Sequence, residues 1–191
     1  MREQLALFGG GPPVPEGFRY EPNAVSPVDE AALLERMPTL PFKEFEFQGY
    51  LGKRRVVSYG FRYDYDTKTI GRVDDIPDFL LAVREVAANV AGIAPEQLQQ
   101  ALVTEYPAGA AIGWHRDRAV YGDIVGISLL SSCNFRLRRK LDTTWERYSL
   151  TAEPRSAYLL HGPSRSEWEH SIPAVDTLRY SITFRNLRSA R

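Results

Sequence analysis

Cysteine is nearly absent from this sequence of 191 residues, which contains a single one, Cys133. One cysteine cannot close a disulfide within the chain, so a disulfide-stapled secreted scaffold is excluded and a reducing compartment is favoured. The first residues include Glu3 and lead into a glycine-proline run, without the apolar core of a secretory signal. No apolar run is long enough to span a bilayer. We therefore expect a cytoplasmic protein with no membrane partner.

An excess of charge of either sign is also absent, since 24 Lys and Arg residues balance 24 Asp and Glu residues. Neutrality gives no evidence for a polyanionic partner, but a local basic patch can coexist with it. The length is sufficient for one domain with a sizeable core. We predict a flexible N-terminal tail over residues 1–14 and a single domain over residues 15–191.

Histidine is scarce as well, and the chain contains only His115, His161 and His170. His115 lies two residues before Asp117, and side chains two apart on an extended segment point to the same face. This imidazole and this carboxylate can therefore hold two adjacent positions of one metal ion. A second histidine, His161 or His170 unless another chain supplies it, would complete the set. Two histidines and one carboxylate leave coordination positions open and suit non-haem Fe(II).

The segment 179–185 reads as a strand with two unlike faces. Tyr180, Ile182 and Phe184 form an apolar face, which indicates that the other face looks into a barrel. That other face carries two guanidiniums and two hydroxyls, from Arg179, Ser181, Thr183 and Arg185. Arginine forms charge-assisted and often bidentate pairs with carboxylates. The polar face is therefore a candidate receptor for a small dianion.

A His-x-Asp turn, a distant histidine and an Arg-x-Ser-x-Thr-x-Arg strand, in this order and spacing, resemble the AlkB-type Fe(II)/2-oxoglutarate dioxygenases. The resemblance extends from the region of Phe45 to Arg185. It implies a metal site of His115, Asp117 and His170, because the separation of His170 from the arginine strand matches the family. It implies a structural role for His161. Fe(II) as cofactor, with 2-oxoglutarate and dioxygen as cosubstrates, is implied in the same way.

The resemblance also implies the residues that bind 2-oxoglutarate. Arg179 would bind its far carboxylate and Arg185 the carboxylate near the metal, beside the two hydroxyls of the same strand face. Family members place an Asn and a Tyr two residues apart on an earlier strand for the same purpose. Here the Tyr is Tyr106, whereas Thr104 stands at the Asn position. A threonine hydroxyl has less reach and fewer donors, so Tyr106 is expected to be the better contact.

The stretch from Gly52 to Tyr65 combines basic and aromatic residues. In AlkB-type enzymes the segment before the barrel forms a lid that positions the substrate nucleotide, so we predict a lid over about residues 45–70. Aromatic rings can stack on bases, and Arg or Lys can meet phosphates. We add Trp114 and Arg118, which flank the His-x-Asp turn, here called the metal turn. The predicted substrate contacts are then Arg54, Arg55, Tyr59, Arg62, Tyr63, Tyr65, Trp114 and Arg118. The alternative is a surface hairpin in which these side chains only pack.

A second basic run, from Arg136 to Lys140, lies near a predicted strand end. It is either a solvated edge that prevents aggregation or a contact for nucleic acid, and the sequence supports the solvated edge at least as well as the contact.

The N-terminal peptide Gln4-Leu5-Ala6-Leu7-Phe8 resembles the short peptide with which bacterial repair and replication proteins bind the sliding clamp. A glycine-proline tether follows it, and a short apolar peptide on a tether is a suitable docking device. The predicted clamp contacts are Gln4, Leu5, Leu7 and Phe8. The alternative is that these apolar side chains pack on the domain itself.

Periodicity predicts helices from Pro27 to Met37 and from Pro77 to Ala91, where apolar residues recur at helical spacing. From about residue 100 to residue 187 the chain reads as short alternating strands separated by turn residues. The predicted fold is mainly β with flanking helices. Its double-stranded β-helix (jelly roll) core covers about residues 100–187, and the lid and a helical extension precede the core.

The activity implied by the resemblance is oxidative demethylation of N-alkylated bases in DNA or RNA, with release of succinate, carbon dioxide and formaldehyde. The clamp-like peptide favours DNA. Members that repair nucleic acids carry an acidic residue two positions after the metal-binding Asp, whereas this chain has Ala119. An oxygenase that acts on a protein side chain or a small molecule is therefore the alternative. Outside the oxygenases, a zinc hydrolase and a non-catalytic jelly-roll binding module remain.

Overall fold

The structure is a computed structural model that describes residues 13–47 and 50–188. The predicted clamp residues Gln4, Leu5, Leu7 and Phe8 lie outside this part of the chain. The first strands are β1 (Phe18–Glu21), β2 (Lys43–Phe47), β3 (Tyr50–Tyr59), β4 (Phe61–Asp64) and β5 (Thr69–Arg72). The later strands are β6 (Gln100–Tyr106), β7 (Ile112–His115), β8 (Tyr121–Leu129), β9 (Cys133–Leu141), β10 (Thr144–Ala152), β11 (Ala157–Leu160), β12 (Glu169–Ile172) and β13 (Arg179–Leu187). The α-helices are α1 (Pro27–Arg36), α2 (Leu81–Ala91) and α3 (Gly162–Ser166).

Two antiparallel sheets contain most of these strands. The larger sheet has the order β1-β11-β8-β13-β6-β3-β2, and the smaller sheet has the order β10-β9-β12-β7. From β6 to β13, four strands belong to each sheet, which is the double-sheet arrangement that the sequence predicts. Buried side chains from both sheets meet between them, including Ile124 and Leu160 of the larger sheet and Phe135 and Leu137 of the smaller one.

Both long helices pack on the outer face of the larger sheet. Leu33 of α1 and Val83 of α2 belong to the same buried cluster as Ile182 of β13. Because neighbouring strand residues point to opposite faces, the polar residues of β13 face the smaller sheet. Among the described residues, no helix has the length and apolar character that crossing a bilayer requires.

The predicted helices differ from the structure only at their ends. α1 begins at Pro27, with Ser26 accepting a hydrogen bond from the backbone N–H of Asp29 at 3.1 Å, and Met37 starts a 3-10 turn. The segment predicted to be helical from Pro77 begins with a 3-10 turn, and the α-helix starts at Leu81. A terminal turn of this kind tightens the helix end without changing the apolar stripe that predicts the helix.

The predicted lid consists of two different parts. β3 pairs with β6, with Val56 opposite Thr104, so much of residues 45–70 belongs to the larger sheet. Only β4 and β5 form a separate two-stranded hairpin, with Tyr63 opposite Ile70. Pairing with β6 satisfies the backbone hydrogen bonds of β3.

Gly126 of β8 leaves room for the ring of Tyr158, and a Cβ built at this glycine would overlap ring atoms of that tyrosine. We expect Gly126→Ala to lower the free energy of unfolding by about 1–3 kcal/mol, as overpacking of a core does. Urea denaturation followed by circular dichroism measures this change. Gly71→Ala is the matched control, because a Cβ on this exposed strand glycine would meet nothing within 4 Å. Equal losses in the two variants would contradict the packing argument.

Candidate metal centre

Two paired strands bring the predicted metal ligands together. In the antiparallel pair β7–β12, His115 lies directly opposite His170, and their ring centroids are 4.3 Å apart. Asp117 follows two residues after the first of them. The possible ligand atoms of His115, Asp117 and His170 all lie within 4.8 Å of one another. The three residues that the sequence selects therefore form one cluster that could hold a metal ion.

Hydrogen bonding prepares the His115 ring for ligation. Its Nδ1 lies 2.9 Å from the backbone carbonyl oxygen of Gly113, which can only accept a hydrogen bond. Nδ1 therefore carries the proton, and the lone pair is left on Nε2. With Nδ1 held by this carbonyl, Nε2 is the ring nitrogen that is available to a metal.

The Asp117 carboxylate divides its two oxygens between two partners. Oδ1 accepts hydrogen bonds from Arg185, at 2.7 Å from Nη2 and 2.9 Å from Nε. Oδ2 lies 3.5 Å from Nε2 of His170. Gln100 fixes the guanidinium from the other side, accepting from Nη1 at 2.9 Å. The carboxylate that Arg185 binds in this structure is thus that of Asp117, and its expected contact with 2-oxoglutarate stays a prediction.

Protonation states in the cluster suit metal binding. Burial alone would raise the pKa of Asp117, but Arg185, His170 and His115 outweigh it and hold that pKa below its ordinary value. Burial, together with His115, lowers the pKa of His170 to about 3. At neutral pH the carboxylate is ionised and the His170 imidazole is neutral. These are the forms in which both groups ligate metals.

Arg165 of α3, which no sequence motif identifies, holds the turn after Asp117. Its Nη2 donates hydrogen bonds to the carbonyl oxygens of Arg118, at 2.7 Å, and Tyr121, at 2.9 Å. Its Nε donates to the carbonyl oxygen of Gly122 at 2.9 Å. A planar guanidinium that binds three carbonyls fixes the path of the backbone as it leaves the metal ligand.

The residues predicted to bind 2-oxoglutarate line the inside of the sandwich. All of them are buried: Thr104, Tyr106, Arg179, Ser181, Thr183 and Arg185. Ser181 is opposite Thr104 in the strand pairing, and its hydroxyl donates to the Tyr106 hydroxyl at 3.5 Å. The apolar opposite face of β13 packs under the helices, as the alternating pattern predicts.

Arg179 is fully buried and only partly satisfied. Its Nη2 donates to Ser128 Oγ at 3.0 Å, and its guanidinium lies 4.9 Å from the centre of the Tyr106 ring. The other two donor atoms, Nε and Nη1, have no hydrogen-bond partner among the described residues. An unpaired buried guanidinium is costly, so these donors suit the carboxylate of a bound ligand. The residues present therefore fit a small dicarboxylate cosubstrate.

Tyr158 is a further buried residue of this interior. Burial raises the pKa of its phenol, and the nearby Tyr106 raises it further, so the hydroxyl stays protonated. A single tyrosine on an ordinary strand carries no pattern that would have identified it.

Three of the predicted substrate contacts lie together beside the metal turn. The Arg118 guanidinium lies 5.1 Å from the ring centre of Tyr63 and 4.9 Å from that of Tyr65. The β4–β5 hairpin therefore contacts the turn that carries Asp117. Burial lowers the pKa of Arg54, and Tyr106, Tyr65 and Asp117 counteract this effect, so Arg54 also lies near the metal cluster.

The other predicted substrate contacts lie elsewhere. Arg55 forms a 2.6 Å ion pair with Glu105 on the helix-facing side of the larger sheet, because it alternates with Arg54. Tyr59 is buried in the core under the helices. Arg62 is exposed, and its side chain points to the face opposite that of Tyr63, whose ring lies beside Arg118. Trp114 lies on the outer face of the smaller sheet, beside the guanidiniums of Arg136 and Arg138.

His161 is separate from the metal cluster. It is 62 % exposed, and its Nδ1 lies 2.7 Å from Oδ1 of Asp123. Of the two histidines that could complete the site, the structure therefore brings only His170 to His115 and Asp117.

The two candidate histidines provide a direct test of the metal site. We expect His170→Ala to weaken Fe(II) binding by more than about 100-fold, because it removes a ligand rather than a group behind one. His161→Ala is the matched control and should bind Fe(II) like the wild type. Anaerobic titration calorimetry measures both affinities. A larger loss in the His161 variant would contradict this choice of ligands.

Comparisons with known proteins agree with this geometry. The sequence matches the family model of the 2OG-Fe(II) oxygenase superfamily over residues 24–185. It is 30% identical over 164 residues to a protein of Arabidopsis thaliana named alkylated DNA repair protein ALKBH8 homolog, covering 72% of this chain and 47% of that protein. This chain thus spans about half the length of that relative. It is also 27% identical over 190 residues to uncharacterized protein L905 of Acanthamoeba polyphaga mimivirus, covering 90% of this chain and 85% of that protein.

The fold has a similar solved structure, described as the structure of OsALKBH1. The two share a TM-score of 0.68 at 17% sequence identity, over 91% of this chain and 97% of that chain. This likeness confirms the predicted jelly-roll fold. The family model favours an oxygenase over the zinc hydrolase and the non-catalytic binding module. Fe(II), 2-oxoglutarate and dioxygen are the cofactor and cosubstrates that the family implies. The chain therefore belongs to the 2OG-Fe(II) oxygenase superfamily, and its similarity to the ALKBH8 homolog and to OsALKBH1 agrees with the predicted AlkB type.

Proposed function

We propose that this protein removes N-alkyl groups from bases in DNA or RNA by oxidation. It would use Fe(II), dioxygen and 2-oxoglutarate, and release succinate, carbon dioxide and, from a methyl group, formaldehyde. The observation that carries the proposal is the aromatic and cationic rim of Tyr63, Tyr65 and Arg118 beside the metal turn. The name of the Arabidopsis thaliana relative, an alkylated DNA repair protein, supports the same substrate class.

Fe(II), when bound, supplies the oxidation of a C–H bond at the expense of dioxygen and 2-oxoglutarate. His115, Asp117 and His170 are the residues that would hold it. Arg185 keeps Asp117 ionised and binds its Oδ1, which leaves Oδ2 on the side of His170. Three ligands leave positions open for cosubstrate and dioxygen, which a closed structural site would not do.

For 2-oxoglutarate we propose a slot between the sheets with Arg179 at its far end. The two donors of this guanidinium that have no partner among the described residues would donate hydrogen bonds to the far carboxylate. Tyr106, whose ring lies under the guanidinium, and Thr104 would contribute hydroxyl groups. Ser181 and Thr183 lie on the same buried strand face. This arrangement would orient the keto acid towards the metal and exclude water from it.

For the substrate base we propose a position against the rim of the β4–β5 hairpin. The rings of Tyr63 and Tyr65 are 5.2 Å apart and nearly perpendicular, so one base could contact both. Stacking on such rings accepts any base that is extruded or single-stranded. Arg118 and Arg54 add positive charge on the same side, which suits the phosphates next to that base.

DNA is our preferred nucleic acid, because the N-terminal peptide resembles a sliding-clamp ligand. Clamp binding through Gln4, Leu5, Leu7 and Phe8 remains a proposal. The second candidate is an oxygenase acting on a protein side chain or a small molecule. It is favoured by Ala119, an exposed apolar residue where nucleic-acid-repairing relatives would carry an acid that reads the base.

The proposed function is tested with N-methylated single-stranded DNA and RNA oligonucleotides and their unmethylated counterparts. We expect formaldehyde and succinate in equal amounts, and only with methylated oligonucleotides. Tyr65→Ala should raise the KM for the oligonucleotide about tenfold through lost stacking, and Tyr65→Phe should retain the wild-type value.

Two results would contradict the proposal. If 2-oxoglutarate were decarboxylated but no methylated oligonucleotide released formaldehyde, a protein or small-molecule substrate would be favoured. If Tyr65→Ala and Tyr65→Phe had the same KM, the hairpin rim would not be a substrate contact.

A further inference from the structure

The outer face of the smaller sheet, on the side opposite the metal centre, carries a group of cations. On β9 the side chains of Phe135 and Leu137 are buried between the sheets, so the residues that alternate with them face outwards. The cross-strand partners of those residues on β10 share the same face. We call this surface the cationic face, and it consists of Arg136, Arg138, Lys140, Arg147, Trp114 and Trp145.

Only part of the basic run in the sequence contributes to the cationic face. Arg139 points to the opposite side, where it forms ion pairs with Glu146 at 2.9 Å and Glu167 at 2.5 Å. It is therefore neutralised within the protein. The three other cations of the run share the outer face, because they are two residues apart on one strand.

The positive charge of the cationic face is largely uncompensated. Glu169 pairs with Arg138 at 2.7 Å, but among the described residues no ion pair involves Arg136, Lys140 or Arg147. Arg138 and Arg147 are directly opposite each other on β9 and β10, and like charges in that position destabilise a sheet. Since the whole chain is neutral, this accumulation is not a consequence of composition. The face is complementary to a polyanion.

Two indole rings identify the kind of polyanion. Trp114 and Trp145 lie on either side of the Arg138 guanidinium, with ring centres 4.4 Å and 4.3 Å from it. Trp145 is 37 % exposed on the edge strand β10. A basic surface with exposed aromatic rings suits a single strand, whose bases can stack, better than a duplex, whose bases are covered.

The cationic face and the metal centre are built on the same two strands. Trp114 immediately precedes His115 on β7, and Glu169 immediately precedes His170 on β12. Neighbouring strand residues point to opposite faces, so each strand presents one group outwards and one metal ligand inwards. β7 is an edge strand of the smaller sheet. A polymer on the outer face thus needs to pass only one strand edge to reach the turn of Arg118.

We propose that the cationic face binds a single-stranded nucleic acid and leads it around the β7 edge to the metal centre. This inference rests on the proposed function, because it assumes that the substrate is a nucleic acid. It adds a binding surface outside the site itself, with Lys140, Arg147 and Trp145 as its exposed contacts. These three residues would determine affinity for long substrates and leave the chemistry at the metal unchanged.

Binding is measured by fluorescence anisotropy with a labelled, unmethylated oligothymidylate of about 20 nucleotides, long enough for the site sizes of such surfaces. The variant Lys140→Gln/Arg147→Gln should bind more weakly and lower the salt slope by about 1.4, because each single-strand phosphate contact contributes about 0.7. Arg19→Gln/Arg36→Gln removes two exposed cations elsewhere and is the matched control. Trp145→Ala should weaken binding about tenfold, and Trp145→Phe should largely restore it.

Competing ligands test the kind of polyanion. The proposal requires that a duplex of the same length binds more weakly than the single strand. It also requires that polyglutamate of equal charge displaces the oligonucleotide poorly. Tighter binding of the duplex, or equal displacement by polyglutamate, would overturn it, as would equal affinities in the Lys140/Arg147 variant and its control.

Turnover separates this inference from the proposed function. For a methylated nucleoside, too small to reach both surfaces, the Lys140/Arg147 variant should match the wild type in kcat and KM. For a methylated oligonucleotide its KM should rise several-fold with kcat retained. If no methylated nucleic acid is a substrate but the oligothymidylate still binds through these residues, the binding surface stands and the proposed function fails. If the substrate is turned over and KM is unchanged in the variant, the binding surface is overturned.

Discussion

The central constraint on this fold is that one strand, β13, has two incompatible faces that must both be buried. Its apolar face packs under the two long helices, and its polar face places Arg179 and Arg185 between the sheets. A guanidinium inside a protein needs an anionic partner, because its desolvation is otherwise uncompensated. The interior of the jelly roll therefore favours negative charge, part of which the Asp117 carboxylate supplies and the rest of which, in our proposal, a ligand supplies.

The two arginines receive their partners from different sources. Arg185 has the Asp117 carboxylate and the Gln100 side chain, so it fixes a metal ligand within the protein. Arg179 has only the Ser128 hydroxyl, and two of its donors are unsatisfied among the described residues. The first pairing keeps the metal site preorganised, and the two unsatisfied donors of Arg179 are those that we propose for a dicarboxylate. The alternating pattern of β13 thus places one arginine at the metal site and the other in the slot that we propose for 2-oxoglutarate.

Much of this could be predicted from the sequence, because strand alternation and helical spacing are local signals. They identify the helices, the polar face of β13 and the His-x-Asp turn. The prediction of substrate contacts in β3 rests on composition, which ignores that adjacent strand residues such as Arg54 and Arg55 point to opposite faces. Arg55 and Tyr59 lie on the helix-facing side of the larger sheet and not beside the metal cluster. The hydrogen bonds from Arg165 to the turn after Asp117 could not be predicted, since they join a five-residue helix to carbonyls more than forty residues away in the sequence.

The role of Arg179 as the receptor for 2-oxoglutarate is tested most directly by its effect on cosubstrate binding. Without oxygen, a keto acid that chelates Fe(II) gives a visible charge-transfer absorption, which can be titrated with 2-oxoglutarate. We expect Arg179→Met to raise the half-saturating concentration at least about tenfold, since charge-assisted hydrogen bonds are lost, with Fe(II) affinity unchanged. The same half-saturating concentration in the variant and the wild type would contradict this role.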